Sequence, residues 1–226
     1  FQLEIQYSDK STLIKSDQEL LDRTTQIISS LARQNRSGLL CFLPGVREIR
    51  RVSEQLLDLG LSLPVFELHG SLDLADQKQV LAAPEGPRIV LATNIAEASL
   101  TVPGTDTVID SGLARSTTID LQTGFSRLEL IRISHFNSHQ RAGRAAREKA
   151  GLCIRMWSRF DEANMKEQIS PEVERTDLSS ALLFLARLGI RDFAAFSWLD
   201  QPPQPLLHFA LEFLRKNKLL KGDNTI

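Results

Sequence analysis

The feature that most constrains the fold of this chain is a series of short apolar runs separated by stretches with helical spacing. Each run is short and apolar enough to indicate a buried strand. Between two of them lies the amphipathic stretch Val46–Leu59, which Gly60 ends. Strands that alternate with helices at this spacing predict a parallel sheet wound by right-handed crossovers. The central runs are Leu39–Leu43, Arg88–Ala92 and Asp106–Asp110.

Further segments extend this α/β pattern at both ends of the chain. The first residues alternate apolar and polar side chains, which is typical of a half-exposed strand. Two runs joined through Gln122-Thr-Gly predict a β-hairpin insertion, and two helical stretches after Pro171 predict a separate small module. The expected elements are strands at Phe1–Tyr7, Leu63–Leu68 and Gly151–Trp157, hairpin strands at Ser116–Asp120 and Arg127–Ile133, and helices at Ser16–Arg33, Asp73–Ala82, Asp177–Leu188 and Leu206–Leu219.

Charge and composition leave the class of partner open but localise where a polyanion could bind. The 226 residues carry a net charge of −1, so any site for a nucleic acid must be a local patch. Basic residues do cluster between residues 127 and 159, with Glu129 and Glu148 as the acidic residues there. The basic members are Arg127, Arg132, Arg141, Arg144, Arg147, Lys149, Arg155 and Arg159.

The cysteines and the apolar segments indicate a cytoplasmic protein. Cys41 and Cys153 each lie in an expected buried strand, so we expect free thiols in a reducing compartment. No run approaches the roughly 18 apolar residues of a membrane span. The start at Phe1 suggests a piece cut from a longer chain.

Small and hydroxylic residues follow the expected parallel strands. In such sheets, ligands bind beyond the carboxyl ends of the strands, where main-chain amides can approach phosphates. The pairs and triplets found there are Pro44-Gly45, His69-Gly70-Ser71, Thr93-Asn94 and Ser111-Gly112.

The octapeptide Gln140–Arg147 combines an amide and three arginines with Ala and Gly. On a helix, at about 100° per residue, Gln140, Arg144 and Arg147 would fall within an arc of roughly 60°. Such a face suits an arginine finger that stabilises charge on a transferring phosphoryl group. A solvated basic helix is the alternative.

These motifs, in this order, resemble motifs IV, V and VI of the DEAH-box helicases of the bacterial HrpB type. The resemblance covers nearly the whole chain and includes segments similar to the family's winged-helix region. The matching segments are Leu43-Pro-Gly45 with Glu48-Ile49, Ala92–Thr101, Asp110–Arg115, Gln140–Arg147, Ser170–Asp177 and Trp198–Pro203.

The resemblance implies a second RecA-like lobe at residues 1–168 and a partial winged-helix domain at residues 169–226. It also implies an ATP-dependent helicase that grips single-stranded nucleic acid, RNA more than DNA. No Gly-x-x-x-x-Gly-Lys-Ser/Thr loop and no Asp-Glu-Ala-His motif occurs here. ATP and Mg²⁺ would be bound mainly by the N-terminal lobe of the parent chain, and this fragment alone should be inactive.

Residue roles follow from the resemblance, position by position. Gln140, Arg144 and Arg147 would be the catalytic residues, with Arg141, Leu81 and Pro103 also at the nucleotide. Thr93 and Asn94 would hold the nucleic-acid backbone. The structural alternative is that Thr93 simply ends a β-strand and Asn94 caps the next helix. Gly45, Gly70 and Ser71 would add backbone contacts or be ordinary turn residues. Arg115 and Arg127 belong to the hairpin, which matches a strand-separating element or, otherwise, a simple edge ribbon.

Three departures from the family pattern bear on nucleotide binding. Ala146 replaces a usual Gly, which puts the reach of Arg147 in doubt. Pro103 stands where an acidic residue can hold the ribose, and Leu81 stands where an aromatic side chain often stacks on adenine. We therefore expect weak discrimination among nucleotide bases. The rival reading is a non-catalytic nucleic-acid-binding or adaptor module with the same fold.

No metal site is expected. His135 and His139 have the spacing of a zinc pair on a helix, but neither a Cys pair nor carboxylates accompany them.

Overall fold

The computed structural model describes residues 1–8, 16–34, 36, 38–82, 86–97 and 100–226. These residues form two compact units. The first comprises Phe1–Arg115 with Leu130–Gln168, and the second comprises Ser116–Glu129 with Ile169–Ile226. The expected turn at Ser37 lies outside the described residues.

The first unit contains a six-stranded sheet in which every pairing is parallel, which confirms the predicted fold class. The strand order is β1-β8-β5-β2-β4-β3, so the most apolar runs occupy inner positions, as expected. The strands are β1 (Leu3–Tyr7), β2 (Gly38–Phe42), β3 (Val65–Leu68), β4 (Arg88–Ala92), β5 (Thr107–Asp110) and β8 (Gly151–Arg155).

Helices cover both faces of this sheet because alternate residues of each buried strand point to opposite sides. On one face, Leu39 and Cys41 pack with apolar residues of the first two helices. On the other face, Leu40 and Phe42 pack with Val80 and with residues of the helix that precedes β8. The helices of this unit are α1 (Asp17–Arg33), α2 (Val46–Asp58), α3 (Leu74–Ala82), α4 (His135–Ala142) and α5 (Arg159–Ala163).

Local sequence signals set several helix ends. Ser16 caps α1 by accepting a hydrogen bond from the Glu19 amide. Gly60 follows the C-terminal end of α2 and has a φ of +63°, a conformation that glycine adopts readily. Asp73 accepts from the Asp76 amide at 2.8 Å and begins α3, as the sequence predicted. The short helix α5 was not predicted.

The second unit contains the distal part of a two-stranded ribbon and two helices around one apolar core. The ribbon pairs β6 (Leu113–Ile119) with β7 (Ser126–Arg132), which confirms the predicted hairpin. Helices α6 (Ser179–Arg187) and α7 (Gln204–Lys216) lie near the predicted segments. Their core includes Leu182, Phe193, Ala210 and Leu214. Assignment of this unit to a winged helix stays a prediction.

Within the part of the chain that the structure describes, no helix combines the length and apolar character needed to cross a membrane.

Candidate nucleotide and nucleic-acid site

The predicted backbone-binding residues lie along one edge of the sheet. The registers place Phe42 beside Ala92, and Leu68 also beside Ala92, so β2, β4 and β3 end together. The residues that follow these ends are therefore brought to the same edge, as the parallel topology requires. They are Gly45, Gly70, Ser71, Thr93 and Asn94.

Gly45 lies beneath an ion pair at this edge. Arg115 Nη2 donates to Glu48 Oε1 at 2.8 Å, and the Glu48 side chain is almost wholly buried. A Cβ atom on Gly45 would lie 2.8 Å from both Arg115 Nε and Glu48 Oε2. A side chain at position 45 would therefore force the Arg115–Glu48 pair to shift. The structure thus brings Arg115 and Gly45 together.

Gly70 and Ser71 form an exposed turn after β3. A Cβ atom on Gly70 would meet no heavy atom within 4 Å. Ser71 Oγ contacts the Nδ1 atom of buried His69 at 2.8 Å, so His69 is a hydrogen-bonded structural residue. The main chain at Gly70 is therefore open to a ligand.

Thr93 and Asn94 begin a short 3₁₀ turn, Asn94–Ala96, directly after β4. Thr93 holds the N-cap position without a side-chain capping bond, and its amide donates to the Leu68 carbonyl at 3.1 Å. The alternative prediction that Asn94 caps the next helix is therefore wrong, because Thr93 occupies the N-cap position of this turn. Asn94 is exposed at the edge.

The octapeptide Gln140–Arg147 is helical only in part, so the helical arc predicted for its side chains is wrong beyond Ala142. Helix α4 ends there, and the amides of Arg144 and Ala145 donate to carbonyls three residues earlier, at 3.0 and 3.1 Å. Ala145 is fully buried, and its carbonyl lies against Gly151, where a Cβ would come within 2.3 Å. This close packing turns the chain toward β8 and keeps it from continuing as a helix.

Arg141 points into the protein, which corrects its expected place at the nucleotide. Its Nε donates to Glu97 Oε2 and its Nη1 to Asp110 Oδ1, each at 2.9 Å. The guanidinium also lies 4.9 Å from the Phe42 ring centroid, and the residue is 1% exposed. Burial opposes the charge of Arg141, but the two carboxylates raise its pKa above the ordinary value. A nucleotide has no access to this side chain.

Arg144 lies against the segment that follows β4. Its Nη1 donates to the Leu100 carbonyl at 2.9 Å and its Nη2 to the Glu97 carbonyl. Only 6% of the residue is exposed, and no acceptor among the described residues bonds its buried Nε. Burial lowers the pKa of the Arg144 guanidinium, and the charge of Arg147 lowers it further. One N–H donor thus remains unmatched in a buried position, which calls for a partner.

Arg147 and Gln140 are more accessible. Arg147 is exposed, and its Nη1 donates to Thr101 Oγ1 at 2.5 Å. Gln140 lies half-buried on the last turn of α4. Arg144 and Arg147 therefore meet the same segment, Glu97–Thr101, of which Ala98 and Ser99 lie outside the described residues.

A buried arginine links Pro103 to Val80, the residue before Leu81. Arg88 Nη1 donates to the Val80 carbonyl at 3.2 Å, and Arg88 Nη2 donates to the Pro103 carbonyl at 2.8 Å. Leu81, next to Val80, packs against the apolar core and is half-buried. The role of Arg88 in this link was not predicted from the sequence.

The hairpin tip belongs to the second unit. Arg127, 61% exposed at its side chain, pairs with Asp120 at 2.8 Å, and Phe125 is 72% exposed. A Cβ on Gly124 would lie 3.1 Å from Phe209 Cζ, and Gly124 has a φ of +74°. A glycine is therefore needed at this turn on both counts.

Sequence reasoning missed the residues that hold α4 in place. Glu97 accepts hydrogen bonds from Asn137 Nδ2 and Arg141 Nε through its two carboxylate oxygens. Asp110 was assigned only as a strand end. A carboxylate that ends an otherwise apolar buried run was the signal available, because a buried charge needs a partner.

The described residues contain neither a cluster of metal ligands nor an exposed thiol. No three His, Cys, Asp or Glu side chains there are arranged to hold a metal ion. His139 Nδ1 contacts the His135 carbonyl at 2.9 Å, as a residue within α4. Both cysteines are free and buried, as predicted, and burial raises the pKa of the Cys153 thiol to about 12.

A comparison with protein-family models matches most of the first unit to a single family. Residues 19–149 match the model described as helicase conserved C-terminal domain. The curated relatives include the ATP-dependent RNA helicase HrpB of Escherichia coli, 39% identical over 213 residues. This match covers 93% of the chain and 26% of that protein. The ATP-dependent RNA helicase HrpA of the same organism is 37% identical over 188 residues, which cover 83% of the chain and 14% of that protein.

Solved structures give the same result. One crystal structure of the E. coli DEAH/RHA helicase HrpB superposes with a TM-score of 0.86 at 36% identity. Another, of the E. coli DExH-box NTPase HrpB, gives 0.82 at 37% identity. Both matches cover the whole of this chain, and 29% and 28% of those chains respectively. The chain therefore spans about a quarter of the length of these HrpB proteins.

Proposed function

This chain belongs to the family of helicase conserved C-terminal domains, of the DEAH-box HrpB type, and we propose that it is the second RecA-like lobe of an ATP-dependent RNA helicase. It would supply one side of a composite nucleotide site and grip a single strand. The relatives named above are RNA helicases, which favours RNA over DNA as the substrate. The first lobe, in the same parent chain, would be its main partner.

The observation that carries this proposal is that one segment serves both expected sites. Thr93 and Asn94 stand at the open edge of the sheet, and Glu97 directly follows their 3₁₀ turn. Arg144 donates to Glu97 and Leu100, and Arg147 donates to Thr101. Donors suited to phosphate oxygens and residues suited to a sugar-phosphate backbone are therefore adjacent along the chain.

Arg144 and Arg147 would act as arginine fingers on the γ-phosphate, and Gln140 would orient the attacking water or a phosphate oxygen. In the structure Arg144 donates to two carbonyls, so contact with a phosphate requires exchange of these bonds. Its unmatched Nε supports a role beyond packing. Arg147 is exposed, and to contact a phosphate it would give up only its hydrogen bond to Thr101. Alanine at position 146 lies in a turn and not in a helix, so it does not lock Arg147 in a helical direction.

Strand binding would use the sheet edge. Gly45, Gly70, Ser71, Thr93 and Asn94 would contact phosphates and sugars, with Arg115 beside Gly45 adding charge. Binding should be tolerant of sequence and should weaken with salt, because such contacts carry no base information. Arg127 and Phe125 at the hairpin tip would meet the strand or duplex end.

Mg²⁺ would accompany the nucleotide on the first lobe. No three His, Cys, Asp or Glu side chains among the described residues of this chain are arranged to hold the ion. The free buried thiols favour a cytoplasmic location.

The second candidate is an adaptor that has kept the fold and lost turnover. It is favoured by the occupied donors of Arg144, together with Pro103 and Leu81 at the expected base pocket. The test is ATP hydrolysis by the parent chain with both lobes, with and without single-stranded RNA. Hydrolysis stimulated by RNA supports the helicase, whereas RNA binding without hydrolysis supports the adaptor.

A further inference from the structure

The turn after β3 carries an exposed hydroxyl group that is bonded to a buried ring. Ser71 is exposed, and its Oγ lies 2.8 Å from His69 Nδ1, whereas the His69 side chain is only 4% exposed. The Leu72 amide donates to the His69 carbonyl at 3.2 Å and closes the turn. The direction of the Ser71 hydroxyl is therefore set by the protein and not by solvent.

The second ring nitrogen of His69 faces a carboxylate. His69 Nε2 lies 3.9 Å from Glu67 Oε2 on β3. A neutral imidazole carries one N–H group, and a carboxylate accepts hydrogen bonds but cannot donate them. We assign the proton to Nε2 because the opposite tautomer would turn a lone pair toward the charge of Glu67. Nδ1 is then an acceptor, and Ser71 donates its hydrogen to His69.

This arrangement leaves the Ser71 hydroxyl suited to one kind of ligand group. A serine hydroxyl has a single hydrogen, so Ser71 offers a ligand only the lone pairs of its oxygen. A phosphate oxygen also only accepts, and the negative charge of exposed Asp73, two positions further along, disfavours a phosphate at this turn. A ribose 2′-hydroxyl can donate to Ser71, whereas a deoxyribose has no such group.

We propose that Ser71 accepts a hydrogen bond from a ribose 2′-hydroxyl and that His69 is the positioning residue that makes Ser71 an acceptor. This inference rests on the proposed function, because it names the contact by which the strand-binding edge selects RNA over DNA. Gly70 leaves room for the sugar, since a Cβ there would meet no heavy atom of the described residues within 4 Å.

The test compares sugars on one base sequence. We would measure the dissociation constants of the parent chain with both lobes for oligouridylates of equal length with ribose, 2′-fluororibose or deoxyribose. The 2′-fluoro group keeps the ribose pucker but cannot donate, so it separates hydrogen bonding from strand shape. Measurement at about pH 8 keeps an ordinary histidine neutral. The wild type should bind the ribose form more tightly than the 2′-fluoro form by a factor of about 2 to 10, as one hydrogen bond contributes.

Ser71→Ala removes the acceptor at an exposed position. This variant should keep its fold and bind the ribose and 2′-fluoro forms with equal affinity. Ser62→Ala is the matched control, because Ser62 is also exposed but precedes β3 and so lies at the opposite end of that strand. The control should keep the wild-type ratio of the two affinities.

His69→Phe tests the positioning role. The substitution keeps a buried ring but removes Nδ1, so the Ser71 hydrogen becomes free to turn toward the ligand. The ratio should fall toward 1 without loss of affinity for the 2′-fluoro form, whereas a damaged turn would weaken binding of all three forms. Thermal unfolding measures the stability of the variant. If His69→Phe fails to fold, Glu67→Gln replaces it, because an amide that can donate to Nε2 removes the preference for one tautomer and should also lower the ratio.

Each outcome decides the inference. A wild type that hydrolyses ATP in response to RNA but binds the ribose and 2′-fluoro forms equally overturns the inference and leaves the proposed function standing. Equal weakening of all three forms in Ser71→Ala indicates a phosphate contact and overturns it, as does a wild-type ratio in that variant. An unchanged ratio in the His69 or Glu67 variant overturns the role of His69. A wild type with neither RNA binding nor stimulated hydrolysis overturns both the inference and the proposed function.

Discussion

Arg141 and Asp110 form an ion pair that is closed to solvent, with 2.9 Å between Nη1 and Oδ1 and side chains exposed by 1% and 0%. The pair joins α4 to the end of β5 beneath the expected nucleotide site. A buried pair is costly to form, but it is more costly to break by removing one partner. Its presence explains why one arginine of the octapeptide is structural while the next two remain candidates for ligand contact.

Arg141→Met should therefore lower the stability of the chain strongly. The substitution leaves two carboxylates, Asp110 and Glu97, buried without their shared cation, and we expect a loss of about 3–5 kcal/mol in the free energy of unfolding. Urea denaturation measures this loss. Arg127→Met removes an arginine from the exposed pair with Asp120 and should change stability little. Equal losses in the free energy of unfolding for the two substitutions would show that the buried Arg141 network stabilises the fold no more than the exposed Arg127–Asp120 pair does.

The hydrogen bonds and the ion pair of Glu162 predict how the stability of the fold depends on pH. It accepts from Trp157 Nε1 at 3.1 Å, from Tyr7 Oη at 3.2 Å and from Arg155. Burial raises the pKa of Glu162, but the hydrogen bonds and the charge of Arg155 outweigh burial and hold it below the ordinary value of 4.5. Because the folded-state pKa is lowered, the carboxylate stabilises the fold above the unfolded-state pKa and loses this contribution as pH falls through the folded value.

Glu162→Gln should then be less stable than the wild type by about 2–3 kcal/mol at neutral pH. The difference should narrow once the pH falls below 4.5, the ordinary pKa of glutamate. Urea denaturation of both proteins over a series of pH values gives the curve. A stability difference that stays constant through the acidic range would show that Glu162 is not the titrating group.

Gly70→Ala tests the sheet edge as a backbone-binding surface. The new Cβ meets no heavy atom of the protein within 4 Å, so the fold should keep its stability. If a strand approaches the main chain here, the methyl group should weaken binding of single-stranded RNA several-fold. Gly222→Ala, also in open space but in the second unit, is the control and should bind as the wild type does. Unchanged affinity in Gly70→Ala would remove this turn from the interface.

The nucleotide base should be recognised weakly. Pro103 has no carboxylate for a ribose, and its carbonyl already accepts from Arg88, while Leu81 is half-buried against the core. We therefore expect comparable turnover of ATP, GTP, CTP and UTP by the parent chain, with affinity carried by the phosphates. Steady-state hydrolysis of the four nucleotides measures this. A strict requirement for ATP would show that another residue reads the base.

The sheet could be predicted from the sequence because its signals are local. Runs such as Leu39–Leu43 and Ile89–Ala92 are apolar throughout, and only an inner strand of a parallel sheet buries both of their faces. The caps at Ser16 and Asp73 were also predictable, since each side chain bonds an amide three residues away. Short-range chemistry decides such features.

The inner arrangement of the site could not be predicted in the same way. The family resemblance placed both Arg141 and Arg144 at the nucleotide, and only the fold shows that Asp110, 31 positions earlier, takes the charge of Arg141. Long-range contacts of this kind leave no periodic signal in the chain.

The central claim is that Arg144 and Arg147 act on the phosphates of a nucleotide held between two lobes. The most direct measurement is RNA-stimulated ATP hydrolysis by the parent chain with both lobes, comparing the wild type with Arg144→Ala and with Arg147→Ala. The account predicts that each variant loses roughly 10³-fold or more in kcat and still binds single-stranded RNA. Wild-type turnover in either variant would contradict the role of that arginine, and wild-type turnover in both would contradict the claim.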